Sequence, residues 1–380
     1  MEKQKIKKQF YKKILISFLI IVILLGIGIK IFSNKQNINY PLLSSDYETR
    51  KWYKVSPKEA KSSDGSEWHG IFRKGKENKV FIFFYGGGMT FNENTSLNKP
   101  YTFYTSNIKG QDQLVGTGIM TMKEINPFED WTFLAIQYAT GDFHSGQNEL
   151  KIIENEKEKI IYHCGYNNYT SFMKEVMPYI EETEILIISG SSAGGFAASL
   201  LSDDIITNYF PNTKNITTCI DSSLVYYDDW KWTAENIWKT PKEISDKLTS
   251  DNLVLDSLID LEKKHPEVKI LFTCSNRDDA LQRYQAYIDE NNMDVDRKHS
   301  DKFQLGLKKM VLDMQDKLNN PGIYIFEQGY RIFTTGTKHQ ILPYNVFDKL
   351  NGNKSVAEWL MDAVNGNINT YGIGLLDKSY

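Results

Sequence analysis

A serine in a glycine-flanked turn is the residue of this chain best suited to nucleophilic chemistry. Ser192 is the central residue of the segment Gly-Ser-Ser-Ala-Gly at positions 190–194, a Gly-x-Ser-x-Gly pattern. Residues 185–189 before it can form a buried strand, and small residues typical of a helix start follow it. The glycines let the backbone reverse tightly, which would present the Ser192 hydroxyl at a helix N-terminus. The pattern predicts a nucleophile elbow; the alternative is a glycine-rich turn of another α/β protein, for example a phosphate-binding loop.

A serine nucleophile also needs N–H donors for the oxyanion that forms on the attacked carbonyl. A glycine run at positions 86–88 follows the apolar segment Val-Phe-Ile-Phe-Phe-Tyr at positions 80–85. Backbone N–H groups in such a run can approach a substrate oxygen closely. We therefore predict that the N–H groups of Gly88, Met89 and Ala193 form the oxyanion hole and that Gly87 lines the pocket.

The base must be a histidine, and in the α/β-hydrolase order it follows the acid, which follows the serine. Of six histidines, His339 alone both follows the last candidate acid and comes after a predicted strand. Three carboxylates obey the order: Asp221 follows the strand after the elbow helix, and Asp278 and Asp279 follow the next strand. Any of them could instead be a turn or capping residue, Asp279 in particular as an N-cap.

The elements that must position these residues alternate along the chain. Apolar runs predict strands at 80–85, 131–138, 185–189, 216–220, 269–274, 322–326 and 331–335, with helical patterns at 169–180 and 279–290 between them. Alternating strands and helices indicate an α/β-hydrolase-like fold: a mainly parallel sheet with helices on both faces. Residues 251–264 and 291–317 are predicted to be helices outside the sheet, where they could cover the site.

The N-terminal region differs from the rest of the chain. Residues 1–13 contain six lysines and one glutamate and are predicted to be a cytoplasmic basic segment. Residues 14–32 are apolar over about the length of one bilayer crossing, which predicts a transmembrane signal anchor with the remainder outside the cell. Residues 33–46 are predicted to be a tether and 47–380 the catalytic domain. The alternative is a cleaved signal peptide and a secreted protein.

Charge and cysteine content limit the possible partners. The chain has 45 basic and 48 acidic residues, and without residues 1–39 the balance is 37 to 47. This acidic surface argues against nucleic acid as a partner. The three cysteines, Cys164, Cys219 and Cys274, are too scattered for a disulfide framework or a zinc site, so no metal or cofactor is predicted. The sequence leaves the oligomeric state open.

Six short blocks, in order along the predicted outer domain, resemble the pectin acetylesterase/Notum-type serine hydrolase family. They are YGGGMTFNENTS from position 85, YATGDFHSG from 138, CGYNNY from 164, GSSAGG from 190, DDALQ from 278 and GTKHQIL from 336. The resemblance implies Ser192 as nucleophile and His339 as base. It also implies Asp279 as the acid, because the family has Asp followed three residues later by Gln, here Gln282; Asp278 is then the second choice.

The same resemblance implies further pocket residues. Asp142 and His144 fall in the Tyr-x-Thr-Gly-Asp block that lines the family's site, and Asp221 is left with a pocket or supporting role. The chain departs from plant and animal members, which have Trp-Cys where this chain has Met89-Thr90. Because the residue after the glycines shapes the pocket, the substrate of those members is not carried over.

Together these features predict a membrane-anchored extracellular serine carboxylesterase with a Ser192–His339–Asp279 triad. The predicted substrate is an acylated polysaccharide from which acetyl groups are removed, or a small ester. A fatty-acyl or lipid ester hydrolase is the alternative within the enzyme class, and amide cleavage is a weaker one. A surface binding protein that keeps the fold without turnover is the alternative outside it.

Overall fold

The apolar runs of the sequence form one central sheet of eight strands. The structure, a computed structural model, describes residues 39–380, and residues 40–380 form one compact unit. The strands of the sheet are β1 (Tyr53–Val55), β2 (Gly70–Arg73), β3 (Lys79–Phe84), β4 (Thr132–Ile136), β7 (Ile185–Ser191), β8 (Asn215–Asp221), β9 (Lys269–Ser275) and β10 (Gly322–Phe326). A separate antiparallel hairpin consists of β5 (Asn148–Glu154) and β6 (Lys157–His163).

The sheet has the order β1-β2-β4-β3-β7-β8-β9-β10. Strands β4, β3, β7, β8, β9 and β10 run parallel, and β1 and β2 add an antiparallel edge. Nearly every residue of the parallel strands is buried, so both faces of the sheet are covered. Because these strands run parallel, the carboxyl ends of β3, β7, β8 and β9 meet at one edge of the sheet, where the candidate site lies.

The helices connect and cover these strands. They are α1 (Glu93–Ser96), α2 (Gly165–Val176), α3 (Ala193–Tyr209), α4 (Trp230–Thr233), α5 (Lys242–Ser245), α6 (Leu253–Lys264), α7 (Leu281–Glu290), α8 (Arg297–Lys317) and α9 (Val356–Val364). Short 3₁₀ turns occur at Gln111–Leu114, Gly118–Met120, Met177–Tyr179 and Ile373–Asp377, and a π-helical turn at Ala234–Trp238. Helix α3 packs against β3, β7 and β8, which places its N-terminus at the centre of the sheet edge.

Six of the seven predicted strands are confirmed, and the seventh is wrong. Residues 331–335 form a turn rather than a strand, and Ile332 and Phe333 are exposed there. The backbone of this segment bonds within its own turn, since the Thr335 N–H donates to the Arg331 carbonyl (2.7 Å) and the Arg331 N–H to the Gly336 carbonyl (2.9 Å). The apolar pattern therefore did not indicate a strand here. The hairpin β5–β6 was not predicted, because its exposed, charged strands lack a continuous apolar run.

The predicted anchor at 14–32 and the basic segment at 1–13 lie outside the described residues. Across residues 39–380, every helix is too short or too polar to cross a bilayer. The predicted tether, 33–46, overlaps the folded unit: the Leu43 N–H donates to the Lys54 carbonyl (2.9 Å), and the Lys54 N–H donates to the Pro41 carbonyl (2.7 Å). Residues 41–43 are thus attached to the edge of the sheet.

Candidate active site

Ser192 lies in a strained turn between β7 and α3. Its backbone has φ 58° and ψ −127°, a conformation that costs free energy for a residue with a side chain and is typical of functional positions. The neighbouring glycines are required by packing. A Cβ on Gly194 would collide with the Phe84 carbonyl oxygen, and a Cβ on Gly190 with that of Gly194. Only glycine at these two positions lets α3 approach β3 this closely.

Ser192 and His339 line the same cavity at the carboxyl edge of the sheet. The cavity has a volume of about 240 Å³, and Ser192 is 6% exposed while the His339 side chain is 19% exposed. The remaining lining residues come from the ends of β3 and β7, the glycine run, a 3₁₀ turn, α7 and nearby loops: Phe83, Tyr85, Gly86, Gly87, Gly88, Leu114, Ser191, Ala280, Tyr284, Gln340, Pro343 and Tyr344. The predicted nucleophile, the predicted base and the predicted pocket residue Gly87 therefore surround one space.

The carboxylate that contacts His339 is that of Asp278. The His339 Nδ1 atom lies 2.7 Å from Asp278 Oδ2, and the Asp278 side chain is fully buried. The other carboxylate oxygen, Oδ1, accepts the N–H groups of Ala280 (3.1 Å) and Leu281 (3.0 Å) at the start of α7. One carboxylate thus fixes both the helix start and the imidazole.

Asp279, the acid that the resemblance implied, is directed elsewhere. Its carboxylate forms an ion pair with Arg331 at 2.7 Å. The reason is a short parallel bridge between Asp278 and Thr337, in which Thr337 donates to the Arg277 carbonyl (2.8 Å) and accepts from the Asp279 N–H (3.1 Å). Side chains alternate along such a pairing, so Asp278 lies on the side of Thr337 and His339 and Asp279 on the opposite side.

Two opposing effects determine the pKa of His339. Burial lowers the pKa of the imidazole, but the charge of Asp278 and its hydrogen bond raise it, with smaller contributions from Asp221 and Asp279. The net result is a pKa raised above the ordinary value of 6.5. A histidine held in this way has a fixed Nδ1–H and a basic Nε2, which is the form that a general base needs.

The N–H donors differ in part from the predicted oxyanion hole. The Met89 N–H donates to the Phe103 carbonyl (3.0 Å), and the Met89 side chain is buried in the core. Met89 is therefore unsuited to the predicted role. By contrast, the N–H groups of Gly87, Gly88 and Ala193 have no acceptor within residues 39–380. Gly88 has φ 90°, which favours glycine, and it lines the cavity with Gly87.

Asp221 lies beneath the site rather than in the pocket wall. It is fully buried, and its Oδ2 accepts the Ser191 hydroxyl (2.7 Å) and the N–H groups of Ile341 (3.0 Å) and Leu342 (2.9 Å). Its Oδ1 accepts the Ser222 hydroxyl (2.9 Å). Burial raises the pKa of Asp221, although these hydrogen bonds act in the opposite direction. The carboxylate joins the end of the nucleophile strand to the loop that carries His339.

Asp142 and His144 are also buried, and they hold nearby backbone groups in place rather than lining the cavity at Ser192. Asp142 accepts the Thr140 hydroxyl (2.6 Å) and the Gly165 N–H (2.8 Å). His144 Nε2 lies 3.0 Å from the Tyr85 carbonyl oxygen, and because a carbonyl can only accept, Nε2 carries the proton. Burial lowers the pKa of His144 to about 4, so this histidine stays neutral and holds the strand end before the glycine run.

Arg277 holds together the elements around His339, a role that the sequence did not predict. Its guanidinium is buried and donates to the Thr335 carbonyl (2.8 Å), the Gln304 amide oxygen (2.6 Å) and the Asp301 carboxylate (2.7 Å). It connects the end of β9 with α8 and with the segment before His339. An arginine two residues after a buried strand was the only sequence signal for this role.

Metal ligation is not indicated in the part of the chain that the structure describes. Within residues 39–380, no group of three or more His, Cys, Asp or Glu side chains is arranged to hold a metal ion. The three cysteines are free and buried, and burial raises the pKa of each thiol. They pack as small apolar side chains.

An elbow serine at the carboxyl edge of a mainly parallel sheet places this chain in the class of α/β-hydrolase-like proteins. The sequence profile of the pectinacetylesterase family matches residues 49–258, more than half of the chain. The chain belongs to the pectinacetylesterase family, a family of carboxylic ester hydrolases, as the six sequence blocks predicted.

Solved structures of one protein support the fold. The Wnt deacylase Notum from Drosophila, in crystal form II, is similar with a TM-score of 0.57 and 14% sequence identity, over 83% of this chain and 94% of that chain. Crystal form I gives a TM-score of 0.56 and 14% identity, over 82% and 92%. At this identity the likeness concerns the fold alone. In the comparison with curated proteins, no relative matches the chain.

Proposed function

We propose that this protein is a serine carboxylesterase in which Ser192 is the nucleophile, His339 the general base and Asp278 the acid. The observation that carries the proposal is the 2.7 Å contact between His339 Nδ1 and Asp278 Oδ2, with Ser192 on the same cavity as that histidine. A buried carboxylate bound to an imidazole that lines one cavity with a strained serine is an arrangement suited to activating a hydroxyl.

In the proposed reaction, the Ser192 hydroxyl oxygen attacks the acyl carbon of the ester while His339 Nε2 takes its proton. The Asp278 carboxylate accepts a hydrogen bond from His339 Nδ1–H, which orients the ring and stabilises the imidazolium. The free N–H groups of Gly88 and Ala193, and that of Gly87 beside them, donate to the tetrahedral oxyanion. His339 then returns the proton to the departing alcohol oxygen. In the second half of the reaction, water attacks the acyl carbon while His339 Nε2 takes a proton from it, and the proton passes to the Ser192 oxygen as the carboxylic acid leaves.

The proposed substrate is an O-acetyl group on a polysaccharide. Family membership supports an ester of this kind, and the size of the cavity supports a short acyl chain. Cavities that bury a drug-sized ligand have about 300–1,000 Å³, whereas the cavity at Ser192 has about 240 Å³. With Tyr284 and Tyr344 in its wall, it leaves little room for a long chain.

The proposed location is the outer face of the membrane, held by the segment at 14–32. The lysine-rich segment before it supports this orientation. Cleavage of the segment would give a secreted enzyme with the same site.

A fluorophosphonate probe tests the mechanism directly, since it labels only an activated serine. We expect the purified full-length chain to be labelled at Ser192 and to hydrolyse p-nitrophenyl acetate. The Ser192→Ala variant is expected to do neither, and Ser45→Ala, which removes an exposed hydroxyl outside the cavity, serves as the control for labelling. Absence of labelling and of hydrolysis in the wild-type chain would contradict the enzyme function and favour a surface binding protein.

Acyl chain length separates the proposed acetylesterase from a fatty-acyl hydrolase. Because the cavity is small, kcat/KM is expected to fall at least about tenfold from p-nitrophenyl acetate to p-nitrophenyl octanoate, a difference of roughly 1.4 kcal/mol in transition-state binding. Replacing Tyr284 by alanine should reduce this difference by enlarging the cavity. A wild-type preference for octanoate would overturn the assignment of an acetyl substrate.

A further inference from the structure

A second cavity lies at the same edge of the sheet as the candidate active site. It has a volume of about 690 Å³, nearly three times that of the cavity at Ser192. Residues 224–229, which follow β8, form one wall, and α7 and α8 form others. Helix α7 borders both spaces: Tyr284 lines the cavity at Ser192, while Gln285 and Ile288 line the second cavity. The two cavities therefore lie along one helix.

The walls of the second cavity are held together by hydrogen bonds between separate elements. The Gln285 side chain accepts the Tyr226 N–H (2.8 Å) and donates to the Tyr226 carbonyl (3.1 Å). The Tyr226 hydroxyl donates to the Gly306 carbonyl in α8 (2.9 Å), and the Tyr227 N–H donates to the Asp251 carbonyl (2.9 Å). The cavity is therefore formed in advance, which reduces the entropy lost when a ligand binds.

The apolar part of the lining is aromatic and aliphatic. Tyr226 and Tyr227 are half-buried, Phe303 is a buried residue of α8, and Ile288 and the exposed Leu305 complete this surface. The Lys309 ammonium lies 4.9 Å from the centre of the Tyr226 ring and covers one face of that ring. Aromatic rings provide rigid apolar faces with little loss of side-chain entropy. Such a surface suits the C–H face of a sugar ring.

The polar part of the lining carries an excess of negative charge. Of its four carboxylates, Asp289 pairs with Lys302 (2.6 Å), whereas Asp228, Asp229 and Asp251 form no ion pair with any residue in 39–380. The other lysine of the lining, Lys309, pairs with Asp313 (3.1 Å), which is not part of it. Three uncompensated carboxylates accept hydrogen bonds from hydroxyl groups and repel anions.

We propose that the second cavity binds a neutral sugar unit of the acylated polysaccharide, next to the unit whose acetyl group is removed at Ser192. This inference rests on the proposed esterase function and specifies its substrate: the aromatic surface supports the ring, and the free carboxylates accept its hydroxyl groups. The same carboxylates disfavour an anionic uronate at this position, so the polymer is a neutral glycan rather than a polyuronate.

Direct binding tests the proposal without relying on turnover. Titration calorimetry on the full-length chain would compare xylohexaose with hexagalacturonate, which have six rings each; every ring of hexagalacturonate carries a carboxylate and xylohexaose carries none. Because the two also differ in ring configuration and linkage, the variant below decides whether charge causes the preference. We expect xylohexaose to bind at least about tenfold more tightly. In the double variant Asp228→Asn/Asp229→Asn, the Kd for xylohexaose should rise about fivefold and the preference over hexagalacturonate should shrink. Asp46→Asn, which removes an exposed carboxylate away from this cavity, is the matched control and should change neither value.

The outcomes separate the two proposals. Hexagalacturonate binding as tightly as xylohexaose, or a preference that the double variant leaves unchanged, overturns the sugar site. The p-nitrophenyl acetate rate of the same preparation reports on the cavity at Ser192 alone. Sugar binding without ester hydrolysis would therefore remove the esterase function and keep the site, and hydrolysis without selective sugar binding would do the reverse.

Discussion

Asp278→Asn is expected to lower kcat for p-nitrophenyl acetate by about 10⁴-fold, as loss of the aspartate does in other Ser-His-Asp sites. Asp279→Asn, one position away, should lower kcat by less than about tenfold, because its carboxylate only pairs with the exposed Arg331. The physical reason is orientation: Asp278 Oδ2 holds the Nδ1–H of His339 at 2.7 Å, and an asparagine amide there can present N–H to Nδ1 and favour the wrong tautomer.

The pH profile gives an independent measure of the same contact. Only neutral His339 can take the proton, so kcat/KM should rise with pH through the pKa of His339, which lies above 6.5. In Asp278→Asn, burial continues to lower this pKa while the charge that raises it most is gone, so the midpoint should move to lower pH. An equal loss of kcat in Asp278→Asn and Asp279→Asn, or a midpoint that stays in place, would exclude Asp278 as the acid.

Asp221→Ala is expected to lower the free energy of unfolding by about 3 kcal/mol, since two buried backbone N–H groups, at Ile341 and Leu342, lose their acceptor. The loss is not larger because burial of the carboxylate is itself unfavourable, as its raised pKa shows. Urea unfolding with an unchanged m-value would measure the difference. Activity should fall as well, because the loop that carries His339 loses its attachment to β7 at Ser191.

Two further variants make this prediction specific. Asp221→Asn keeps one acceptor oxygen and should lose less stability than Asp221→Ala. Asp46→Ala, which removes an exposed carboxylate, should stay within about 0.5 kcal/mol of the wild type. If Asp221→Ala unfolds at the same urea concentration as Asp46→Ala, the carboxylate does not stabilise the loop.

Local sequence was sufficient for those parts of the site that depend on neighbours along the chain. The small residues around Ser192 and the apolar run before it specify a strand, a tight turn and a helix without help from distant residues. The glycine run after β3 and the position of His339 after the last acid were found in the same way. Buried parallel strands could be located because each is a continuous apolar run.

The tertiary structure determined which of several chemically similar groups takes each position in the site. Asp278 and Asp279 have the same side chain, and only the bridge to Thr337 determines which one faces His339. The Met89 N–H is chemically like that of Gly88, but pairing with Phe103 occupies it. Asp221 satisfied the chain order for the acid and instead lies buried against the 341–342 backbone. Residue types and spacing thus determined the chemistry available to this protein, whereas long-range pairing, which no local pattern encodes, determined the direction in which each group points.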